Sequence, residues 1–236
     1  MGRERGVLLW DFHGTLVYGE WEWATTFEEI LHMYTPRIRL SHQSIHDALQ
    51  EGFAWHAPDQ DHVHVDNADA WWLEHQAAFT RGFRRMGVED GVAECLASLV
   101  RPTYLRPGRF RLFVDSLPTL RYFEAQGWRQ AILSNHIPEL PEILEELGLL
   151  SSFEQVFTSA LAGYEKPRVE LFQLALQEMG NPECVWMIGD DPVSDVGGAN
   201  SAGIPAILVR RKMDVPFVAS DLAAVVRIVN TQRPLD

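Results

Sequence analysis

The stretch Val7-Leu8-Leu9-Trp10-Asp11-Phe12-His13-Gly14-Thr15-Leu16 decides the fold of this chain of 236 residues. Its first four residues form an apolar run of the kind found in strands that are buried on both faces. Asp11 follows this run directly, so we expect its carboxylate at the end of a buried strand. A carboxylate in that position is a candidate nucleophile.

Apolar runs of the same kind recur in the second half of the chain, where helical patterns that end at a glycine lie between them. The five runs are 7–10, 129–133, 155–158, 184–188 and 206–209. Alternating strands and helices with short connections favour a parallel sheet that is covered by helices on both faces. We therefore predict an α/β fold whose core is a Rossmann-like, five-stranded parallel sheet.

The strand pattern is absent between Val17 and Arg106, where apolar residues have helical spacing instead. We predict an α-helical insertion at 17–106, within a core that is built from 1–16 and 107–236. Tryptophans at helical spacing are more often core residues than ligand contacts. We expect most of the following to form the apolar core of the insertion: Trp21, Trp23, Trp55, Trp71 and Trp72.

Composition limits the partners. The formal charge of −13 argues against nucleic acid, because neutralising phosphates requires clustered Lys or Arg. No apolar stretch approaches the roughly 20 residues of a membrane span, and the run before Asp11 is too short for the core of a signal peptide. Cys95 and Cys184 lie in apolar surroundings, which predicts two reduced, buried thiols and a cytoplasmic location. We expect a monomer or a homodimer.

Two polar segments receive no functional role. His56, His62 and His64 alternate with aspartates next to a proline, which is typical of a solvated loop and lacks the ligand spacing of a zinc site. The segment 210–212, Arg-Arg-Lys, follows the last apolar run and is expected to be a solvated end of the sheet.

Polar side chains follow three of the predicted strands at the point where each strand ends. In an open parallel sheet such positions converge at the carboxyl edge, where ligands bind. The residues concerned are Asp11, Ser134, Asn135, Asp190 and Asp191. A group of carboxylates repels itself unless a cation neutralises it, and an oxygen-rich set without thiolates fits Mg²⁺.

Four motifs, in this chain order, resemble the haloacid dehalogenase superfamily of hydrolases, in its phosphatase-like branch with a helical cap. They are the hexapeptide 11–16, Ser134-Asn135, Lys166-Pro167, and Gly189-Asp190 with Asp195. Each is weak alone, but four in order at strand ends or in connecting loops are a specific match. The resemblance covers nearly the whole chain. It implies that the insertion is a cap that closes over the active site and selects the substrate.

The resemblance also implies roles for the strand-end residues. Asp11 corresponds to the nucleophile that forms an aspartyl-phosphate. Asp190 corresponds to a Mg²⁺ ligand, together with the Asp11 carboxylate and the backbone carbonyl of His13. Because that carbonyl contact uses no side chain, it is compatible with histidine at position 13.

Four further residues match the groups that bind and neutralise the substrate. Ser134 and the backbone amide of Asn135 correspond to the donors that hold the phosphoryl oxygens. Lys166 corresponds to the cation that balances the charge of nucleophile and phosphate. Asp195 corresponds to a supporting residue that orients this lysine or the metal-bound waters. Such charge-compensating groups supply most of the stabilisation in phosphoryl transfer.

His13 departs from the family pattern, since most phosphatases of the family have a second aspartate there as general acid and base. Histidine can do the same work. Alternatively, His13 indicates a metal-independent reaction like that of the 2-haloacid dehalogenases, although Asp190 argues against it. A third possibility is an impaired member that only binds a phosphorylated ligand. We hypothesise a Mg²⁺-dependent phosphatase that acts on a small organic phosphate monoester.

Overall fold

The computed structural model describes residues 5–19, 22–50 and 67–232. Eight strands are present there: β1 (Val7–Trp10), β2 (Val17–Tyr18), β3 (Arg111–Leu112), β4 (Arg129–Ser134), β5 (Gln155–Thr158), β6 (Val185–Gly189), β7 (Ala206–Val209) and β8 (Val218–Ala219). Six of them form one sheet in the order β5-β4-β1-β6-β7-β8, and every pairing in it is parallel. The predicted α/β fold with a Rossmann-like parallel core is confirmed.

Eleven α-helices accompany these strands in the described ranges. They are α1 (Glu22–Tyr34), α2 (His42–Ala48), α3 (Ala68–Arg85), α4 (Asp90–Ala97), α5 (Val100–Tyr104), α6 (Ser116–Ala125), α7 (Leu140–Glu146), α8 (Ser159–Ala162), α9 (Val169–Glu178), α10 (Gly198–Ser201) and α11 (Leu222–Thr231). A 3₁₀ turn occupies Leu150–Ser152 and a π-helical turn occupies Pro192–Gly197. No helix in these ranges combines the length and the apolarity that crossing a membrane requires.

Strand β1 lies at the centre of the sheet, hydrogen-bonded to β4 on one side and to β6 on the other. Leu8 and Trp10 pack into the apolar cluster on one face, whereas Val7 and Leu9 pack into the cluster on the opposite face. A strand that is buried on both faces needs apolar residues at every position. This explains the continuous run and places Asp11 at the middle of the carboxyl edge.

The sheet has one strand more than the five predicted. Val218–Ala219 adds a parallel edge strand next to β7. Two residues are too short for a periodic signal, and this strand exists because Leu208 and Arg210 donate backbone hydrogen bonds to Phe217 and Ala219. A second difference is the antiparallel pair β2-β3, which joins the points where the chain leaves and re-enters the parallel sheet.

Helices α1 to α5 lie between β2 and β3, as the helical spacing predicts. Trp71 and Trp72 are buried, and Trp23 packs against Phe79 and Tyr104 with ring centroids 5.9 and 4.4 Å away. One apolar cluster continues from these residues into the face of the sheet that holds Trp10. The boundaries of a separate helical module therefore stay a prediction. Trp21, Trp55 and the three histidines at 56, 62 and 64 lie outside the described residues.

The two cysteines are free, but the prediction that both are buried is wrong. Cys95 is exposed, because α4 turns Ala93, Leu96 and Ala97 inward and leaves position 95 on its outer face. Cys184 is half-buried, just before β6.

Candidate active site

Asp11 lies at the carboxyl end of β1, where its backbone N–H donates to the carbonyl of Ile188 at 2.9 Å. Its side chain is nearly enclosed, with 7% of the residue exposed. Two groups donate to the same oxygen, Oδ1: the Ser134 hydroxyl at 2.9 Å and the Lys166 ammonium at 2.8 Å. The structure therefore brings these three predicted residues together across the end of the sheet, and Oδ2 receives neither bond.

Lys166 is buried and uses all three of its donor positions. Besides Asp11, its Nζ donates to Asp195 Oδ1 at 2.6 Å and to the Leu133 carbonyl at 3.0 Å. Burial disfavours the charged amine, but the two carboxylates prevail and raise the pKa of Lys166 above its ordinary value. The residue is therefore a fixed ammonium group at neutral pH.

Asn135 holds the backbone of Lys166 in place with its side-chain amide. The Nδ2 group of Asn135 donates to the carbonyl of Lys166 at 3.0 Å, and its Oδ1 accepts the backbone N–H of Lys166 at 2.7 Å. Such a paired contact fixes one loop against another. The side chain of Asn135 thus positions Lys166. From the sequence, this role was assigned to Asp195 alone.

Asp195 is 1% exposed and lies in the π-helical turn that follows β6. Its second oxygen accepts the backbone N–H of Asp191 at 2.9 Å. Burial raises the pKa of Asp195, while the ammonium group of Lys166 opposes that rise. Gly189 makes this approach possible, because a Cβ there would lie 2.1 Å from Asp195 Oδ2.

Asp190 lies against the loop that follows Asp11. A Cβ on Gly14 would lie 2.4 Å from Asp190 Oδ1, and Gly14 also has a φ of +76°, which favours glycine. Burial raises the pKa of Asp190, while Arg211, whose Nη2 lies 3.0 Å from its Oδ2, opposes that rise. Arg211 is exposed, as expected for a solvated end of the sheet, but it also pairs with Asp190. Arg210 departs from that expectation, because it is half-buried and binds Asp115 at 2.6 Å.

Oxygens of Asp11, Asp190 and Asp195 lie within 4.8 Å of one another. Among the described residues, two cations form ion pairs with these three carboxylates: Lys166 pairs with Asp11 and Asp195, and Arg211 pairs with Asp190. The set therefore retains an excess of negative charge. Hard carboxylate oxygens with uncompensated charge fit a divalent cation such as Mg²⁺. Asp191, in contrast, turns its side chain to the backbone N–H groups of Val193 and Ser194.

His13 has a partner that the sequence did not indicate. Its Nε2 lies 2.7 Å from Oε1 of Glu22, the first residue of α1. Burial opposes the charged ring, yet Glu22, followed by Asp11 and Asp190, raises the pKa of His13 above its ordinary value. Burial also opposes the Glu22 carboxylate, but the hydrogen bond from His13 lowers the pKa of Glu22. The two residues form a hydrogen-bonded pair that links the Asp11 loop to the helical insertion.

His136 follows the Ser134-Asn135 motif and was also missed by sequence reasoning. Its ring meets the ring of Phe12 edge-on, with centroids 5.3 Å apart, and contacts Phe110 at 5.8 Å. Neither ring nitrogen makes a hydrogen bond of normal geometry to any described residue. The backbone of Ile137 is nevertheless near enough to raise the pKa of the ring against the larger effect of burial. Burial, then the charge of His13, lowers the pKa of His136 to about 3. The ring is therefore neutral.

Glu139 connects the same loop to the insertion. Its Oε1 accepts Trp72 Nε1 and Arg101 Nε, both at 2.9 Å, and Arg101 Nη2 lies 2.8 Å away. Arg101 also binds Asp69. Helices α3 and α5 are thereby joined to the segment that begins at Ser134.

The fold and this site define an α/β protein with a lysine-paired aspartate at the end of its central strand. The sequence model of the haloacid dehalogenase-like hydrolase family matches residues 6–203. The chain belongs to this family of hydrolases, as the resemblance of its four motifs predicts.

Several curated relatives carry phosphatase names, and others are named only as hydrolase domain proteins of the family. A glyceraldehyde 3-phosphate phosphatase of Methanothermobacter thermautotrophicus is 37% identical over 44% of this chain and 46% of its own length. A phosphoserine phosphatase of Thermus thermophilus is 34% identical over 64% of each chain. The human haloacid dehalogenase-like hydrolase domain-containing protein 3 is 30% identical over 69% of this chain and 67% of its own. The matches thus span 46% to 67% of these relatives.

Solved structures share the fold over nearly the whole chain. The HAD hydrolase YfnB of Bacillus subtilis, solved with magnesium, has a TM-score of 0.70 at 19% identity and covers 97% of this chain and 100% of its own. A 2-haloacid dehalogenase of Pseudomonas syringae has a TM-score of 0.69 at 16% identity and covers 97% and 99%. At such identities the likeness supports the fold alone. It does not distinguish a phosphatase from a dehalogenase.

Proposed function

We propose that the chain is a Mg²⁺-dependent phosphatase that hydrolyses small organic phosphate monoesters through an aspartyl-phosphate at Asp11. The observation that carries this proposal is the environment of the Asp11 carboxylate. Ser134 and Lys166 hold one oxygen, and the carboxylates of Asp190 and Asp195 lie close by. The phosphatase names of the curated relatives support the same reaction.

In the first half-reaction, an oxygen of Asp11 attacks phosphorus. A P–O bond to Asp11 forms as the P–O bond to the alcohol breaks, and the departing oxygen takes a proton from His13. Lys166, Ser134 and the backbone N–H of Asn135 compensate the charge on the phosphoryl oxygens. Asp195 and Asn135 keep Lys166 in place for this task.

In the second half-reaction, a water molecule attacks the phosphorus of the aspartyl-phosphate. His13 takes the proton of that water, the bond between phosphorus and Asp11 breaks, and inorganic phosphate and the free carboxylate result. Asp11, Asp190 and the carbonyl of His13 would hold Mg²⁺, which supplies positive charge to the transferring phosphoryl group when it is bound. Closure of the helical insertion would exclude bulk water from the first step.

His13 is suited to acid and base work because Glu22 occupies one ring nitrogen. The contact with Glu22 at Nε2 fixes the ring. Nδ1 is then the atom that exchanges a proton with the substrate. Neighbouring carboxylates raise the pKa of His13 and so favour the protonated ring, which is the form that a general acid requires. The His13–Glu22 pair thus favours a working replacement for the family's second aspartate over an inactivating change.

The proposal is tested by phosphate release from an aryl phosphate and from a panel of alkyl phosphates, with Mg²⁺ and with EDTA. We expect Mg²⁺-dependent release that is lost in Asp11→Asn. Metal-independent chloride release from a 2-haloacid would show a dehalogenase instead. Binding of Mg²⁺ and phosphate without turnover of any ester would show an impaired, ligand-binding member of the family.

A further inference from the structure

His136 is a buried polar side chain whose hydrogen-bonding capacity is unused. It is 8% exposed, and both Nδ1 and Nε2 are without a hydrogen-bond partner among the residues that the structure describes. A neutral imidazole offers one N–H donor and one acceptor. Buried polar groups in folded proteins are nearly always bonded, so an unbonded imidazole next to an active site indicates a partner that arrives with the ligand.

The ring lies next to the loops that carry the proposed nucleophile and the proposed phosphoryl donors. Its backbone is one residue beyond Asn135, whose amide is the proposed donor to a phosphoryl oxygen. Its ring contacts Phe12, which lies between Asp11 and His13 in the sequence. His13 and Glu22 are both close enough to shift its pKa. The imidazole therefore lies beside the loop of the nucleophile and within electrostatic reach of Glu22, at the start of the helical insertion.

Among the described residues, three cationic side chains around the proposed site are ion-paired with carboxylates. Lys166 is bound to Asp11 and Asp195, Arg101 to Asp69 and Glu139, and Arg211 to Asp190. A second anionic group of a substrate would lose its hydration beside His136 and would have to compete with these carboxylates for a described cation. A hydroxyl or carbonyl group would lose far less on burial, and one hydrogen bond compensates it.

We propose that His136 is a specificity-determining residue that hydrogen-bonds a neutral hydroxyl or carbonyl group next to the phosphoester. The preferred substrates are then phosphate monoesters of small polyols or hydroxycarbonyl compounds. Esters that carry a carboxylate at the carbon next to the phosphoester are poor substrates. This inference rests on the proposed phosphatase function and adds the substrate class to it.

The test uses three alkyl phosphates that differ at one carbon next to the ester: one bears a hydroxyl group, one only hydrogen and one a carboxylate. For the native enzyme, we expect kcat/KM for the hydroxylated ester to exceed that for the other two by about tenfold, the value of one hydrogen bond. In His136→Phe, which keeps ring volume but has no polar atom, this ratio should fall to about one. His136→Asn, which keeps a donor and an acceptor, should retain part of the preference.

The inhibition constant of inorganic phosphate should be the same in all three proteins, because the phosphoryl site does not include the ring. Unchanged selectivity in a folded His136→Phe would overturn the proposal, as would a preference of the native enzyme for the carboxylated ester. A native enzyme that does not discriminate among the three esters would also overturn it, whether or not the variants fold. Failure to release phosphate even from an aryl phosphate would overturn the proposed function, and this inference with it.

Discussion

Nε2 of His13 lies 2.7 Å from Oε1 of Glu22, and this contact joins the loop after the central strand to the first helix of the insertion. His13 is two residues beyond Asp11, so its ring belongs to the same loop as the proposed nucleophile. Glu22 is nine residues beyond His13, at the start of α1. The orientation of the proposed general acid therefore depends on how the helical insertion is seated.

Glu22→Gln should reduce turnover selectively for poor leaving groups. Glutamine keeps the shape but removes the charge that favours protonated His13. We predict that kcat for an alkyl phosphate falls about tenfold or more, while kcat for an aryl phosphate, which needs little protonation, changes less than about threefold. Steady-state assays with both esters measure the difference.

Glu28→Gln is the matched control for this experiment. Glu28 lies on the same helix and also pairs with a histidine, since its Oε2 is 2.9 Å from Nε2 of His42. That pair is on the exposed side of α1, so both kcat values should stay at the native level. If kcat of Glu22→Gln fell equally for both esters, the substitution would have disturbed the structure, and Glu22 would not assist proton transfer.

His13→Asp alone should not produce an efficient phosphatase. An aspartate at position 13 would face the carboxylate of Glu22, and two carboxylates in proximity resist joint ionisation. We predict that the double variant His13→Asp with Glu22→Gln is at least about fivefold more active on alkyl phosphates than His13→Asp alone. A single variant as active as the double would mean that Glu22 does not face this position during turnover.

Glu139→Ala should destabilise the protein. It leaves the indole N–H of Trp72 and the guanidinium of Arg101 without their shared acceptor. We predict a loss of about 2 kcal/mol in the free energy of unfolding by urea. In Asp69→Asn, which removes the other partner of Arg101 at a carboxylate that is 88% exposed, the loss should stay below about 0.5 kcal/mol. Similar effects in the two variants would contradict the role of Glu139.

His136 should make the protein less stable in acid. Its pKa is about 3 in the folded state against an ordinary value of 6.5, so the unfolded chain binds more protons between these limits and stability falls as the pH drops. Between pH 7 and pH 5 this amounts to about 2 kcal/mol. Urea unfolding of His136→Phe at both pH values should show a smaller loss than the native protein by about that amount. Parallel pH dependences would mean that the ring does not remain neutral on folding.

The parallel core could be predicted because its signal is local. Strands buried on both faces, such as Val7–Trp10, are apolar at every position. The helices between the strands are marked by the glycines that closely follow them in the sequence. Strand-end residues converge for a topological reason, so the assembly of Asp11, Ser134 and Asp190 follows from the order of strands. Lys166 lies in the loop between α8 and α9, and its place was indicated by the family resemblance. The roles of these residues remain predictions that the experiments above test.

The remaining parts of the site depend on tertiary placement. Glu22 begins a helix, where an acidic residue is ordinary because it complements the helix dipole, and nothing in its spacing from His13 indicates a pair. Arg211 stands among cationic residues that look solvated, and it reaches Asp190 through the turn after β7. His136 carries no pattern of its own, although its position directly after Ser134-Asn135 is the one signal that could have drawn attention to it.

The central claim, that Asp11 is a covalent nucleophile, is tested most directly by trapping the intermediate. Enzyme with Mg²⁺ is mixed with an aryl phosphate, quenched in acid during the first turnover and digested for mass spectrometry. We predict a phosphoryl group on the peptide that contains Asp11, and none on the corresponding peptide of Asp11→Asn. Rapid phosphate release by Asp11→Asn, or a phosphoryl group on a different residue of the native enzyme, would contradict the account.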